Sequence, residues 1–213
     1  YIAAAVGTAF ALSISFPWYI HVPLVLIVTG IAGALWGGIS GYLKARFGAS
    51  EIVSALMLNY VAYFLGLYLI NYHFRNREAG YMVSYTLAES AQLRQFVPGT
   101  RIHTGIIIGL VIAVLVYYFF FHTRTGYELR MTGHNEKFAR FGGINTFKII
   151  LIVPMLTGMV AGLGGITEVM GIHERFNWQN SPGYGWDGVI VAIIGKNHPA
   201  FIVLASLLLA YLR

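Results

Sequence analysis

The sequence predicts an all-α fold, a polytopic transmembrane helical bundle. Of the 213 residues, 57% are hydrophobic and only 10% are charged, whereas a soluble domain carries about 25% charged residues. Apolar runs also recur at the length that a helix needs to cross a hydrocarbon core about 30 Å thick. The predicted spans lie near 1–17, 22–43, 52–72, 105–122 and 149–172, with shorter apolar segments at 187–195 and 200–212.

Small residues recur at four-residue spacing in two of these spans. Gly33, Gly37 and Gly41 follow this spacing in one span, and Gly158 and Gly162 follow it in another. Residues four apart share a helix face, and small side chains on that face let two backbones approach closely. The run "GLGGI" is therefore interpreted as a helix-packing surface rather than as a phosphate-binding loop.

The net charge of +6 does not indicate nucleic-acid binding, because the basic residues lie in the connections between spans rather than on one dense face. Charges that stay outside the lipid and meet anionic headgroups are distributed in this way, so membrane lipid is a predicted partner. If residues 43–51 are cytoplasmic, the connection 123–148 is cytoplasmic too. The basic residues on that side are Lys44, Arg46, Arg124, Arg130, Lys137, Arg140 and Lys148, and those opposite are Arg75, Arg77, Arg94, Arg101 and Arg175.

The connection Arg130–Lys148 is unusually polar for a segment between two apolar runs. Within it, "HNEKFARFGG" predicts a short helix. Asn135 or His134 can cap its start, and Glu136 in the first turn suits the positive end of the helix dipole. The glycines at 142–143 are expected to stop the helix in a left-handed conformation.

The predicted short helix carries two aromatic residues on one face. Phe138 and Phe141 lie three residues apart, with Lys137 and Arg140 beside them. Such a helix can fill a groove in a soluble partner protein. It can equally lie in the bilayer surface, with its rings in the lipid and its basic groups reaching the water. The residues alone leave both interpretations open.

A glycine-interrupted span is predicted near the end of the chain. Gly183, Gly185 and Gly188 interrupt the apolar pattern, and Asp187 can cap the helix that follows. Unwound backbone at membrane depth occurs where it is buried in protein or lines a cavity, and broken helices often border transport sites. The loop 181–188 is therefore either an external turn or a border of the pathway.

Several polar and aromatic residues of the apolar segments are candidates for a substrate pathway. Asn59 is polar where lipid is expected, so it must face other helices or a cavity, and the same holds for Glu168. Trp178, Trp186 and Tyr184 suit anchors at the membrane interface, with stacking on a purine as the second interpretation. The pathway candidates are Asn59, Glu168, Trp178, Trp186 and Asp187.

The sequence carries no pattern for catalysis, metal binding or nucleotide binding. The spacing from Gly188 to Gly195 is wrong for a nucleotide-binding loop, and Asn197 stands where Ser or Thr should hold magnesium. The histidines show no ligand spacing, so no metal site is predicted. Any dependence on ATP must therefore come from a partner.

Four segments, in order, resemble the permease subunits of bacterial ABC importers for branched-chain amino acids, ribose and nucleosides. The chain resembles their cytoplasmic coupling loop at "GYELRMTGHNEKFARFGGIN" (Gly126–Asn145). It is similar to their glycine-rich span and the following helix start at "GALWGGISGYLKARFGASEIVSALMLNYVA" (Gly33–Ala62). Toward the end, Leu156–Gly171 and Ser181–Pro199 are most similar to the nucleoside-type branch.

The resemblance implies a permease subunit in the bacterial cytoplasmic (inner) membrane. Residues 1–213 would form a single transmembrane domain that lacks terminal spans at both ends. The chain would be no enzyme and bind no cofactor, because ATP and magnesium belong to separate ATPase subunits. Helix 134–142 would be the coupling helix, seated in a cleft of an ATPase subunit. Its coupling residues would be Asn135, Glu136, Lys137, Phe138, Ala139, Arg140, Phe141 and Gly142.

The same resemblance implies partners and a substrate class. Two ATPase subunits are expected inside, with a second, non-identical permease subunit and an extracytoplasmic substrate-binding protein. Nucleosides are the expected substrates, and simple sugars are the alternative within the family. An ion-coupled secondary transporter is the alternative from another class. It would need an intramembrane relay of charges, for which the spans offer Glu168 and Glu51.

Overall fold

The computed structural model describes residues 1–80, 82–96, 102–178 and 183–212. Arg101, which the sequence analysis placed on the side opposite the cytoplasm, lies outside these ranges, and so do residues 181 and 182 of the loop 181–188. The elements of the described residues are helical apart from two isolated bridges. The α-helices are α1 (Ile2–Ser13), α2 (Trp18–Phe47), α3 (Glu51–Leu69), α4 (Gly105–His122), α5 (Arg124–His134), α6 (Glu136–Phe141), α7 (Thr146–Glu168), α8 (Tyr184–Ile194) and α9 (Pro199–Leu212).

Four helical segments in the described ranges are long and apolar enough to cross a membrane. They are Trp18–Phe47, Glu51–Phe74, Gly105–His122 and Thr146–His173, of 30, 24, 18 and 28 residues. Even the shortest is about 27 Å long at a rise of about 1.5 Å per residue. The second and fourth include five-residue π-helical ends that continue α3 and α7. The predicted spans at 22–43, 52–72, 105–122 and 149–172 are thereby confirmed.

The predicted first span is wrong in its extent, because α1 has only 12 residues. The chain leaves the helix at Ile14, which is extended, and α2 begins only after Pro17. A proline disfavours the α conformation in the residue before it, which separates the apolar run into two helices. The second helix consequently begins at Trp18, four residues earlier than predicted.

The chain divides into two compact units, of which the first comprises Tyr1–Gly105 and Phe147–Ser181. Its core contains the close contact predicted from the small residues. A β-carbon placed on Gly33 of α2 would lie 2.9 Å from the carbonyl carbon of Gly158 on α7. Gly37 meets the backbone of Pro154 one turn further along. The two helices therefore touch backbone to backbone, as the four-residue spacing predicted.

A layer of irregular chain, residues 82–96, packs over one end of this unit. Its apolar side chains Val83, Leu87 and Leu93 are buried, as is Phe176, which follows α7. The Nδ1 atom of His21 lies 2.9 Å from the hydroxyl of Ser90, which joins this layer to α2. Backbone N–H groups bond it to residues 170–176: Ser84 to Phe176 (3.0 Å), Leu87 to Glu174 (2.8 Å) and Leu93 to Met170 (3.0 Å).

The second unit comprises Ile106–Thr146 and Pro182–Arg213 and contains α4, α5, α6, α8 and α9. The chain bends by 119° between α8 and α9. Lys196 and Asn197, between them, have left-handed backbone angles of φ 51° and 55°. These two helices form a sharply bent pair rather than two independent spans.

The bend corrects the predicted interruption at 183–188. Gly183 has φ 78° and stands just before α8, so Gly185 and Gly188 lie inside the helix. Asp187 lies in the first turn and is not the cap. The interruption falls at Gly195, where a β-carbon would lie 3.1 Å from the backbone nitrogen of Ile202. Because glycine has no side chain, the backbones can pack this closely at the bend.

Candidate functional site

Helix α6 forms where the polar connection predicted a short helix. The side chain of Asn135 accepts a hydrogen bond from the backbone N–H of Phe138 at 3.0 Å, so Asn135 and not His134 is the cap. Glu136 occupies the first turn, beside the positive end of the helix. At the other end Gly142 has φ −75° and Gly143 has φ 80°, so only the second glycine adopts the predicted left-handed conformation.

The aromatic side chains of α6 are exposed. Phe138 is 62% exposed and Phe141 is 92% exposed, whereas Ala139 between them is only 1% exposed. Lys137 and Arg140 are also exposed. The helix thus rests on Ala139 and presents the α6 surface, defined here as Lys137, Phe138, Arg140 and Phe141. Two exposed aromatic rings beside the positive charges of Lys137 and Arg140 are suited to a protein groove with apolar walls and an acidic rim.

Helix α5 was not predicted, because its polar sequence between two apolar runs was taken for a connection. The sequence did contain a helix-start residue, Thr123, which could have indicated this helix. Its hydroxyl accepts a hydrogen bond from the N–H of Gly126 at 3.0 Å and caps the helix. Helix α5 packs against α6. Asn135 joins them, since its N–H bonds to the Met131 carbonyl at 3.1 Å while its side chain caps α6.

Asn59 lines a cavity within the first unit. The cavity has a volume of about 220 Å³ and lies between α2 and α3, beside the start of α1. Trp36, Ser40 and Tyr1 are among the residues that line it. The Tyr1 ring itself packs against the rings of Tyr63, Phe176 and Trp178. Such a wall can stack on a flat ring and bond to its polar edge. Sequence reasoning found Asn59 alone, because nothing local marks Tyr1 or Trp36 as its neighbours.

Glu168 and Trp178 meet at His173. The Glu168 Oε1 atom lies 3.2 Å from His173 Nε2, and the glutamate side chain is 16% exposed. The His173 and Trp178 rings stand edge to face with their centroids 6.4 Å apart. Trp178 is buried and also packs against Phe176, so it is not the exposed interfacial anchor that was predicted.

His103 lies in the connection that precedes α4 and is buried. Its Nδ1 atom accepts a hydrogen bond from the Gly105 N–H at 3.1 Å. Burial lowers the pKa of the His103 imidazole, and the charge of Glu168 opposes this change only in part. A neutral ring is the form that can accept the Gly105 bond, so burial and hydrogen bonding favour the same protonation state.

The remaining pathway candidates lie in the second unit. Trp186 and Asp187 belong to the first turn of α8, and the Trp186 ring is exposed. Among the described residues, no three His, Asp or Glu side chains gather closely enough to hold a metal ion.

Comparison with known proteins matches the whole chain, residues 1–213, to the family described as the branched-chain amino acid transport system permease component. The guanosine ABC transporter permease protein NupP of Bacillus subtilis is 36% identical over 99% of the chain and 60% of its own length. The nucleoside ABC transporter permease protein NupB of Lactococcus lactis is 30% identical over 96% of the chain and 59% of its length.

A third relative, the glucose ABC transporter permease protein TsgB13 of Haloferax volcanii, is 31% identical over 99% of the chain and 58% of its own length. The chain therefore spans about three fifths of the length of these relatives. No solved structure matches it. With its multi-pass helical architecture, the chain belongs to the family of branched-chain amino acid transport system permease components, which are proteins of the cytoplasmic membrane.

Proposed function

We propose that this chain is part of the permease subunit of an ABC importer and forms the translocation pathway for nucleosides. The observation that carries the proposal is the α6 surface. Phe138 and Phe141 are exposed there, on a helix that Asn135 caps and whose Ala139 is buried on the opposite side. Relatives named for guanosine and for nucleosides support the substrate class. The glucose-named relative supports simple sugars as the second candidate.

In this proposal α6 is the coupling helix. Residues 135–142 enter a cleft of an ATPase subunit, and the rings of Phe138 and Phe141 lose their contact with water there. Burial of two aromatic side chains gives the contact its strength, and Lys137 and Arg140 can pair with acidic groups at its edge. ATP and magnesium bind to the ATPase subunits, and this chain contributes no catalytic residue.

The cavity at Asn59 is proposed to border the substrate pathway. An amide can both donate and accept hydrogen bonds with the polar edge of a base, and Trp36, which also lines the cavity, can contact its ring. An uncharged solute also fits the scarcity of charge in the spans. Glu168 and Trp178, which meet at His173, are proposed to hold the fold of the first unit instead.

Residues 1–213 would act as one transmembrane permease domain within a larger assembly. Its partners would be two ATPase subunits inside and a second, non-identical permease subunit beside it. A substrate-binding protein would deliver the solute from outside. The family membership supports this type of assembly, because its permeases work with separate ATPase and binding subunits.

The coupling proposal is tested by replacing both rings of the α6 surface, Phe138→Ala with Phe141→Ala. Truncating a buried aromatic at the centre of an interface commonly costs about 2 kcal/mol or more, a factor of about 30 in affinity. The full complex should therefore lose its ATPase subunits in a pull-down, and uptake into vesicles should fall with them.

Phe64→Ala is the matched control, because Phe64 is also an exposed ring but lies within the span of α3, beyond the reach of a soluble subunit. It should retain the ATPase. If α6 instead lies in the bilayer surface, the double variant will assemble and transport like the wild type, and the coupling proposal fails.

The substrate is tested with the binding protein loaded with a nucleoside, with glucose or with an amino acid. Stimulation of ATP hydrolysis in the purified complex by the nucleoside-loaded form alone supports the proposal. Stimulation by the glucose-loaded form alone selects the second candidate, and stimulation by the amino acid alone contradicts both.

A further inference from the structure

The end of α4 is bonded to α5 by side chains rather than by the chain connection alone. The last carbonyl groups of a helix have no partner within that helix. The Thr123 hydroxyl donates to the Phe119 carbonyl at 2.6 Å, and the Arg130 guanidinium donates to the Phe120 carbonyl. Thr123 is also the cap of α5, so a single hydroxyl ends one helix and begins the next.

Two further contacts bring the helices together. The Arg130 guanidinium lies over the ring of Phe121, 5.2 Å from its centroid. Gly126 is buried against the end of α4, where a β-carbon would lie 2.7 Å from the Phe120 carbonyl oxygen. Any larger residue at position 126 would push the two helices apart.

The spacing of these contacts fixes the direction of α5 as well as its position. Residues 123, 126 and 130 span two turns of the helix, about 10 Å along its axis. Contacts at one point would leave α5 able to swing about Thr123, whereas contacts spread over two turns oppose rotation. Asn135 then continues the connection by ending α5 and capping α6.

We propose that Thr123, Gly126 and Arg130 form a rigid joint through which α5 transmits the displacement of α6 to the membrane span α4. The inference rests on the proposed function, because it assigns to α6 the motion of an ATPase subunit. The three are positioning residues: they bind neither ATP nor solute. Without the joint, a displacement of α6 would bend the chain at residue 123 and leave α4 in place.

The joint is tested in the full complex with two pairs of variants. Thr123→Val removes the hydroxyl and keeps the branched shape, whereas Thr123→Ser keeps the hydroxyl. Arg130→Gln removes the charge and most donors. Its control is Arg124→Gln on the same helix, where the arginine side chain is 93% exposed and bonds to Glu128 one turn away.

The expected result is a separation of ATP hydrolysis from transport. Thr123→Val and Arg130→Gln should retain the ATPase subunits and hydrolyse ATP. Nucleoside uptake per ATP should fall about tenfold or more in Arg130→Gln, as for a lost charged hydrogen bond, and about two- to tenfold in Thr123→Val, as for a lost neutral one. Thr123→Ser and Arg124→Gln should couple like the wild type. Normal uptake per ATP in Thr123→Val and Arg130→Gln would overturn the joint and leave the coupling helix intact.

Loss of the ATPase subunits from Arg130→Gln, as in the Phe138→Ala and Phe141→Ala variant, would also overturn the joint, because Arg130 would then belong to the ATPase contact. Failure of the proposed function looks different. In that case the Phe138 and Phe141 double variant itself keeps both assembly and uptake.

A second measurement needs no variant of the joint itself. The 213 residues contain no cysteine, so spin labels can be attached at Val114→Cys on α4 and Gly133→Cys on α5, both exposed. A rigid joint predicts one narrow distance distribution that stays unchanged between the nucleotide-free and ATP-bound complex. A broad distribution, or one that shifts with nucleotide, would refute rigidity.

Discussion

The contact between α2 and α7 predicts that a single methyl group at its centre destabilises the protein. In Gly33→Ala, the new β-carbon would lie 2.9 Å from the carbonyl carbon of Gly158. Carbon atoms in good contact stand about 3.5–4.0 Å apart, so the helices must separate by at least roughly 0.6–1.1 Å. The carbonyl oxygen of Gly158 lies nearer still to the new β-carbon. The neighbouring atoms belong to the backbone, which cannot rotate away as a side chain can.

Overpacking of this kind typically costs about 1–3 kcal/mol. For a chain of this size, 1 kcal/mol lowers the melting temperature by about 2–4 °C, so Gly33→Ala should lower it by about 2–12 °C. The measurement is thermal unfolding of the purified permease in detergent, followed by the loss of its monodisperse peak in size-exclusion chromatography. Gly158→Ala should behave alike, since its β-carbon would meet the Gly33 backbone.

Gly164→Ala is the control on α7, the helix that carries Gly158, because a β-carbon at Gly164 would meet no atom of a neighbouring element within 4 Å. Its melting temperature should stay level or rise, since alanine favours a helix by about 1 kcal/mol over glycine. Equal melting temperatures for Gly33→Ala and Gly164→Ala would refute the reasoning that backbone contact, rather than helix propensity, governs these glycines.

Two further predictions concern the polar groups of the first unit. Burial keeps the folded-state pKa of His103 below its ordinary value of 6.5, so its contribution to stability is complete above about pH 6.5 and is lost as the pH falls. Melting temperatures at about pH 7.5 and 5.5 should differ less in His103→Asn, which keeps an acceptor for Gly105 but cannot titrate. Glu168→Leu should destabilise the protein by about 1–3 kcal/mol, because it removes the hydrogen-bond partner of His173 Nε2. Glu168→Gln should destabilise it by less, because the amide oxygen can still accept a hydrogen bond from His173. Equal thermal stability of the two Glu168 variants would contradict a hydrogen-bonding role.

The lengths of the spans and the start of α6 could be predicted, because residues close together in the sequence determine them. The length of an apolar run sets the length of a span, which is why the predictions of α3 and α4 needed little revision. The cap of α6 was predictable as well, since Asn135 bonds only three residues ahead. The predictions failed where a single residue redirects the chain, as Pro17 does before α2 and Gly195 does between α8 and α9.

The sequence by itself determined the all-α membrane architecture, the small-residue surfaces of α2 and α7, and the short helix α6. Only the tertiary structure decided which polar groups meet. It placed Asn59, Tyr1 and Trp36 around one cavity, and it brought the Arg130 guanidinium to the end of α4. Hydropathy and capping depend on neighbours within a few residues, whereas such pairings depend on how helices cross and turn. That information lies in the packing of whole helices and in no short stretch of the chain.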